Sequence, residues 1–226
     1  MPCRHFLALI LLLGWLNGCA TLGGLSEAQM AYEQGLALVN QGQYAAAVSP
    51  LQRAIDLDAN FGKAYLALGR AHLGLGQWLQ AIPVIRTAFR LAPAESKGEV
   101  TGLLLDGLLG GATASLKSGK FGESIGLFKE ALTLSPKTGQ VQLQLVEALI
   151  GMGGQLLGQG KLTDAIATFS EATQLNPQHV DGYLGLARAL WQQGDIFKAL
   201  AVGQKAMSLA PGDNNVRSLL QQLQGR

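Results

Sequence analysis

The 226-residue sequence predicts an all-α solenoid of about five helix-turn-helix units. Three observations predict it. One phrase recurs five times, apolar residues within each recurrence fall three and four positions apart, and no stretch alternates as a strand would. The recurrences open at Gly42-Gln43-Tyr44, Gly76-Gln77-Trp78, Gly119-Lys120-Phe121, Gly160-Lys161-Leu162 and Gly194-Asp195-Ile196, with glycine spacings of 34, 43, 41 and 34 residues. Four of them close on proline, at Leu91-Ala92-Pro93, Leu134-Ser135-Pro136, Leu175-Asn176-Pro177 and Leu209-Ala210-Pro211.

Residues 1–18 read as a signal segment. Arg4 gives a basic start, and Phe6 to Leu16 form an apolar run of eleven residues. That length suits a signal peptide and is too short for a membrane-crossing helix, which needs roughly 20 residues. The run meets Leu16-Asn17-Gly18-Cys19, which resembles the bacterial lipobox. The resemblance implies cleavage before Cys19, diacylation of its sulfur and acylation of the new amine. Several acyl chains on one cysteine anchor stably, because each buried CH₂ contributes about 0.8 kcal/mol. By analogy with Gram-negative lipoproteins, Ala20 in place of an inner-membrane-retaining Asp implies the outer membrane, with the protein facing the periplasm. An ordinary secretory signal or an uncleaved anchor would share the same apolar run. Residues 19–27 are then the lipidated cysteine and a tether, with Ser26 as N-cap of the first helix.

The units fall at 28–61, 62–95, 105–138, 146–179 and 180–213. In each, the recurring glycine ends a first helix, since a left-handed residue closes a helix cheaply when it lacks a Cβ. A second helix follows, with apolar positions such as Ala81, Ile85 and Ala88, or Ala165, Phe169 and Ala172. Proline then prevents its continuation. This resembles the tetratricopeptide repeat, a helix-turn-helix of 34 residues. The resemblance implies a right-handed superhelix whose first helices line a concave groove. Ala59 stands where the first unit would carry its proline, and Gly203 where the fifth would carry a bulky residue. The extra segments 96–104 and 139–145 read as helical, so the first helices of the third and fourth units are predicted to be longer by about two turns and to project past their neighbours. Residues 214–226 place Val216, Leu219, Leu220 and Leu223 on one stripe opposite glutamines, a helix that caps the open end of the stack.

Composition narrows the function. Hydrophobic residues make up 48% and charged residues 14%, ample for a packed core and unlike a disordered chain. A net charge of +2 without a basic run gives no footprint for nucleic acid. The two cysteines, Cys3 and Cys19, both precede the repeats, and His72 and His179 stand apart, so neither a disulfide framework nor a metal site is expected. No cofactor motif occurs, since Lys120 and Lys161 lack the rest of a phosphate-binding loop. Gly122-Glu123-Ser124-Ile125-Gly126 matches the nucleophile-elbow spacing. That motif needs a strand before it, and Ser124 instead occupies the repeat position held by Ala47, Ala81, Ala165 and Ala199. Packing explains it, and the expectation is a protein that is not an enzyme.

In the repeat family, ligand-facing positions lie on the first helices. Carried onto this chain, the resemblance implies a groove containing Tyr32, Lys63, Arg70, Lys117, Arg188 and Trp191, together with Gln29, Leu36, Asn40, Leu66, Leu73, Asp106, Leu109, Thr113, Glu147, Ile150, Leu157, Asp181, Leu184 and Gln192. Arg, Trp and Tyr commonly anchor interfaces. The Lys/Asn pattern with which some members clamp a peptide carboxylate is absent. The implied function is a lipid-anchored, protein-binding scaffold for proteins or peptides of the bacterial envelope. Lipoproteins of this build serve pilus biogenesis (as the type IV pilus pilotin), secretion, exopolysaccharide export and cell-wall machinery. The alternative is a chaperone or carrier for an apolar or polysaccharide ligand.

Overall fold

The computed structural model describes residues 25–136 and 139–225. The signal segment and Cys19 lie outside that range. Among the described residues the chain forms eleven α-helices, one short 3-10 turn and no strand. Helices α1 (Glu27–Asn40) and α2 (Tyr44–Leu57) form the first hairpin, and α3 (Gly62–Gly74) and α4 (Trp78–Leu91) the second. Beyond the 3-10 turn Ala94–Ser96 come α5 (Lys97–Lys117) and α6 (Phe121–Leu134), then α7 (Gly139–Gly158) and α8 (Leu162–Leu175). Helices α9 (Val180–Gln193) and α10 (Ile196–Leu209) precede the terminal α11 (Asn214–Gln224).

The five turn glycines all take left-handed backbone, with φ between 69° and 93°. Each closes its helix by the same pair of bonds. At the first turn the Gln43 amide donates to Leu38 O at 2.9 Å and the Gly42 amide to Val39 O at 3.0 Å, and the other four turns repeat this Schellman pattern. Four second helices stop two residues short of their prolines, after Leu91, Leu134, Leu175 and Leu209, and Ala92 before Pro93 is extended. A Cβ at Gly194 would meet nothing within 4 Å, so its φ of 93° is the sole obstacle to a side chain there. Gly194→Ala is therefore expected to lower stability by about 1 kcal/mol, measured by urea unfolding.

Each helix packs on the next in sequence, and the odd-numbered helices also touch one another, α1 on α3 through to α9 on α11. Among the described residues the even-numbered helices make no such backbone approach. The odd row is thus the tighter, inner layer of a curved stack. Ion pairs bridge the outer row, Arg86 of α4 to Glu130 of α6 and Lys129 of α6 to Glu171 of α8. Three successive apolar clusters run along the molecule. Leu51 and Leu68 centre the first, Ile85, Leu108 and Phe128 the second, and Phe169 and Leu190 the third.

The two long helices change how the stack is built. Tyr44, the first residue of α2, rests on Gly74, the last residue of α3. Trp78 and Phe121, the equivalent residues of α4 and α6, rest on Gly110 and Gly151, each seven residues before its helix ends at Lys117 or Gly158. Seven residues are two turns, or about 10 Å. So α5 packs on α4 as far as Gly111, where Leu79 of α4 and Leu127 of α6 both approach it, and its last two turns run on beyond α4. Likewise α7 runs past Phe121 of α6, while α8 packs along it from Gln142, which donates to Leu175 O at 2.8 Å. The added length shears the stack one step at each long helix. At the far end, Leu220 of α11 occupies the space that a side chain at Gly203 would take, where an added Cβ would lie 2.9 Å from its Cδ2. This is the physical reason a glycine replaces the usual bulky residue. Asp213 caps α11 by accepting from the Asn215 amide at 2.7 Å.

Candidate functional site

The inner face of the first two and a half hairpins carries a groove of about 650 Å³. Val39 and Asn40 come from the end of α1, Tyr44 from the start of α2, Arg70, Leu73 and Gly74 from α3, and Trp78 from the start of α4. The long helix α5 supplies Leu103, Asp106, Leu109 and Gly110. A second cavity of about 420 Å³ continues it past Trp78, lined by Leu109, Gly110, Thr113, Ala114 and Lys117. The two share Trp78, Leu109 and Gly110 and form one channel. Its second part is lined by the last two turns of α5, Thr113, Ala114 and Lys117. The step at Trp78 leaves the last two turns of α5 standing beyond α4 as a ledge.

Glycines seat the aromatic walls. A Cβ on Gly74 would lie 2.5 Å from the Tyr44 ring, and one on Gly110 would lie 2.4 Å from the Trp78 indole. Bare backbone at these two points lets each ring lie against the helix and still border the groove. Both aromatics are half-buried. Arg70 forms an ion pair with Glu99 of α5, so its charge is met within the fold. Asp106 is exposed in the groove and has no ion pair among the described residues.

The residues expected from sequence are dispersed. Arg70 and Lys117 border the channel, one in each of its two parts. Lys63 borders a separate apolar cleft of about 290 Å³ with Phe61, Leu66, Leu91 and Val100. Tyr32 is 9% exposed and packs on Phe61, ring centroids 4.9 Å apart. Burial pushes its hydroxyl pKa up, the Glu33 charge adds to that, and Arg70 opposes both. Arg188 is exposed on α9, and Trp191 is half-buried against the C-terminal cluster. None of Tyr32, Arg188 and Trp191 borders the channel. Of the other implied groove positions, Asn40, Leu73, Asp106, Leu109 and Thr113 border it and the rest do not. Sequence reading overlooked Tyr44, Trp78 and their glycines, because the family's ligand-facing positions lie on first helices only. The signal was present as an aromatic two residues after each of the first three turn glycines.

Ser124 lies within α6, not at a strand-to-helix turn. Its hydroxyl is fully buried and donates to Ala112 O at 2.8 Å. Ser124→Ala is expected to cost about 1 kcal/mol, the net value of one buried hydrogen bond, and to abolish no labelling by hydrolase probes. Among the described residues no three His, Cys, Asp or Glu side chains gather to hold a metal, and no helix is long and apolar enough to cross a membrane.

Two family models, each described as tetratricopeptide repeat, match residues 32–96 and 156–223, together more than half of the chain. The stretch between them holds the two long helices. A comparison with curated proteins gives no match. Among solved structures, a TPR-repeats protein from Bacteroides fragilis is 13% identical, covers 88% of this chain and 98% of its own, and superposes with a TM-score of 0.57. YrrB, described as a TPR protein with an unusual peptide-binding site, is 19% identical over 84% of this chain and 90% of its own, with a TM-score of 0.36. MamA from Desulfovibrio magneticus RS-1 is 16% identical over 84% and 98%, with a TM-score of 0.38.

Proposed function

We propose, because the chain belongs to the tetratricopeptide-repeat family, that it is a non-enzymatic scaffold whose α1–α5 channel holds a segment of another protein. The family is in general a protein-interaction fold. The observation that carries the reading for this chain is the channel itself. It is concave, walled by Tyr44 and Trp78, floored by aliphatics and edged by Asn40, Arg70, Asp106 and Lys117. Rigid aromatic walls around an apolar floor with few polar groups give contact area at low entropic cost.

The scaffold is held at a bacterial envelope membrane by acyl chains on Cys19, with an envelope protein as partner. Support for this part comes from the sequence Leu16-Asn17-Gly18-Cys19 after an apolar run. Metabolic labelling with an alkyne palmitate analogue is expected to mark the chain and to be lost in Cys19→Ser. Labelling that survives Cys19→Ser contradicts the anchor. The channel is tested by comparing envelope pull-downs of the anchored chain and its Tyr44→Leu/Trp78→Leu variant. A set of proteins present with the first and absent with the second supports the reading, and an unchanged set contradicts it.

A second reading, a carrier of a small apolar ligand, draws on the position of the channel beside the long helix α5. Lipid or glycan extracted with the purified chain, in place of a captured protein, would favour it.

A further inference from the structure

We propose that the channel takes a cationic side chain of its partner, an arginine or lysine flanked by apolar residues, between Tyr44 and Trp78 with the Asp106 carboxylate as counter-ion. The inference rests on the channel being the partner site and adds the chemistry of the occupant.

Three features lead to a cation. Two aromatic rings border one cavity, each held in place against a glycine of the next hairpin. The face of an aromatic ring attracts a positive charge, more strongly where water is partly excluded. Asp106 of α5 lines the same cavity, exposed and without an ion pair among the described residues. The cation already in the cavity, Arg70, does not answer it, because Glu99 holds that guanidinium. Lys117 lies further along, in the part of the channel beyond Trp78. The uncompensated charge beside the two rings is therefore negative.

The remaining lining suits the rest of such a side chain. Leu73, Leu103 and Leu109 offer an apolar bed for the methylene stem of an arginine or lysine and for apolar neighbours in the partner. Asn40 at the rim supplies an amide oxygen for a guanidinium N–H. Arginine fits better than lysine, since its planar head stacks on rings and pairs with a carboxylate at once. Glu99 acts as a positioning residue, because it keeps Arg70 from competing for Asp106.

The test uses the anchored full chain in detergent and two fluorescein-labelled heptapeptide pools. Flanking positions are drawn from Leu, Ala, Pro and Ser, and the central residue is arginine in one pool and its neutral isostere citrulline in the other. Fluorescence anisotropy is expected to show the arginine pool bound about tenfold more tightly, the scale of one cation–π contact plus one partly exposed ion pair. That preference should fall to about threefold, the share left to the rings, in Asp106→Asn and also in Glu99→Gln, where Arg70 is released toward the carboxylate. Asp106 and Glu99 are both exposed, so the variants are expected to fold, which circular dichroism melts check. Equal binding of both pools, weakened in Tyr44→Leu/Trp78→Leu, overturns the cation and leaves the channel as a peptide site. An arginine preference undiminished in Asp106→Asn places the cation elsewhere and also overturns it. Binding of neither pool removes this proposal, while the channel reading still stands or falls on its pull-down.

Discussion

Phe169→Ala is expected to cost about 3–5 kcal/mol and to melt the C-terminal half of the stack ahead of the rest. The ring of Phe169, 2% exposed, fills the space between three helices. A Cβ on Gly153 of α7 would come within 2.7 Å of it, and one on Gly185 of α9 within 2.3 Å. Removing the ring leaves a cavity that backbone on both sides cannot close, because neither glycine has a side chain to fall inward. In a solenoid each unit is stabilised only by its neighbours, so the loss stays local. Hydrogen exchange read by mass spectrometry should show α7–α11 opening faster while α1–α4 keep their protection. Uniform loss of protection along the whole chain would mean that the stack is more cooperative than its contacts imply.

Tyr44→Leu/Trp78→Leu is expected to weaken partner binding on the order of a hundredfold or more, the effect of losing two aromatic anchors at once. Leucine keeps an apolar filler over Gly74 and Gly110, so the cost to stability should be small beside the loss of affinity. Arg188→Ala/Trp191→Ala serves as the comparison, because α9 contributes nothing to the channel. Its effect on affinity should fall within about twofold. Titration calorimetry with the captured partner checks both. A larger loss from the α9 pair would move the site to the C-terminal half.

Much of the fold was legible because its determinants are local. A glycine at φ near 70°, a proline two residues past a helix end and apolar residues three and four apart each act over a few positions. Those signals also foretold the long α5 and α7, since the added segments stay helical in pattern. What could not be read was register between neighbouring hairpins. The sequence shows that α5 is long, but not that Trp78 rests on Gly110 seven residues before its end, since that depends on which small residue an aromatic finds across an interface. The site inherits this limit. Arg70 and Lys117, which the family pattern places on first helices, border the candidate channel. Tyr44 and Trp78 lie on second helices and reach the channel only through the glycines opposite. Tyr32 and Trp191 have the residue types of a binding surface, yet one is packed on Phe61 and the other against the C-terminal cluster.

The most direct test of the channel as partner site is photo-crosslinking in cells from three single positions. Benzoylphenylalanine would replace Asn40 or Thr113, which border the two parts of the channel, and, as a control, Gly126, an exposed position of α6 with open space around it. The account predicts one common adduct from Asn40 and Thr113, lost when Tyr44→Leu/Trp78→Leu is added, and none of that species from Gly126. The same adduct from Gly126, or an adduct indifferent to the aromatic pair, would contradict it.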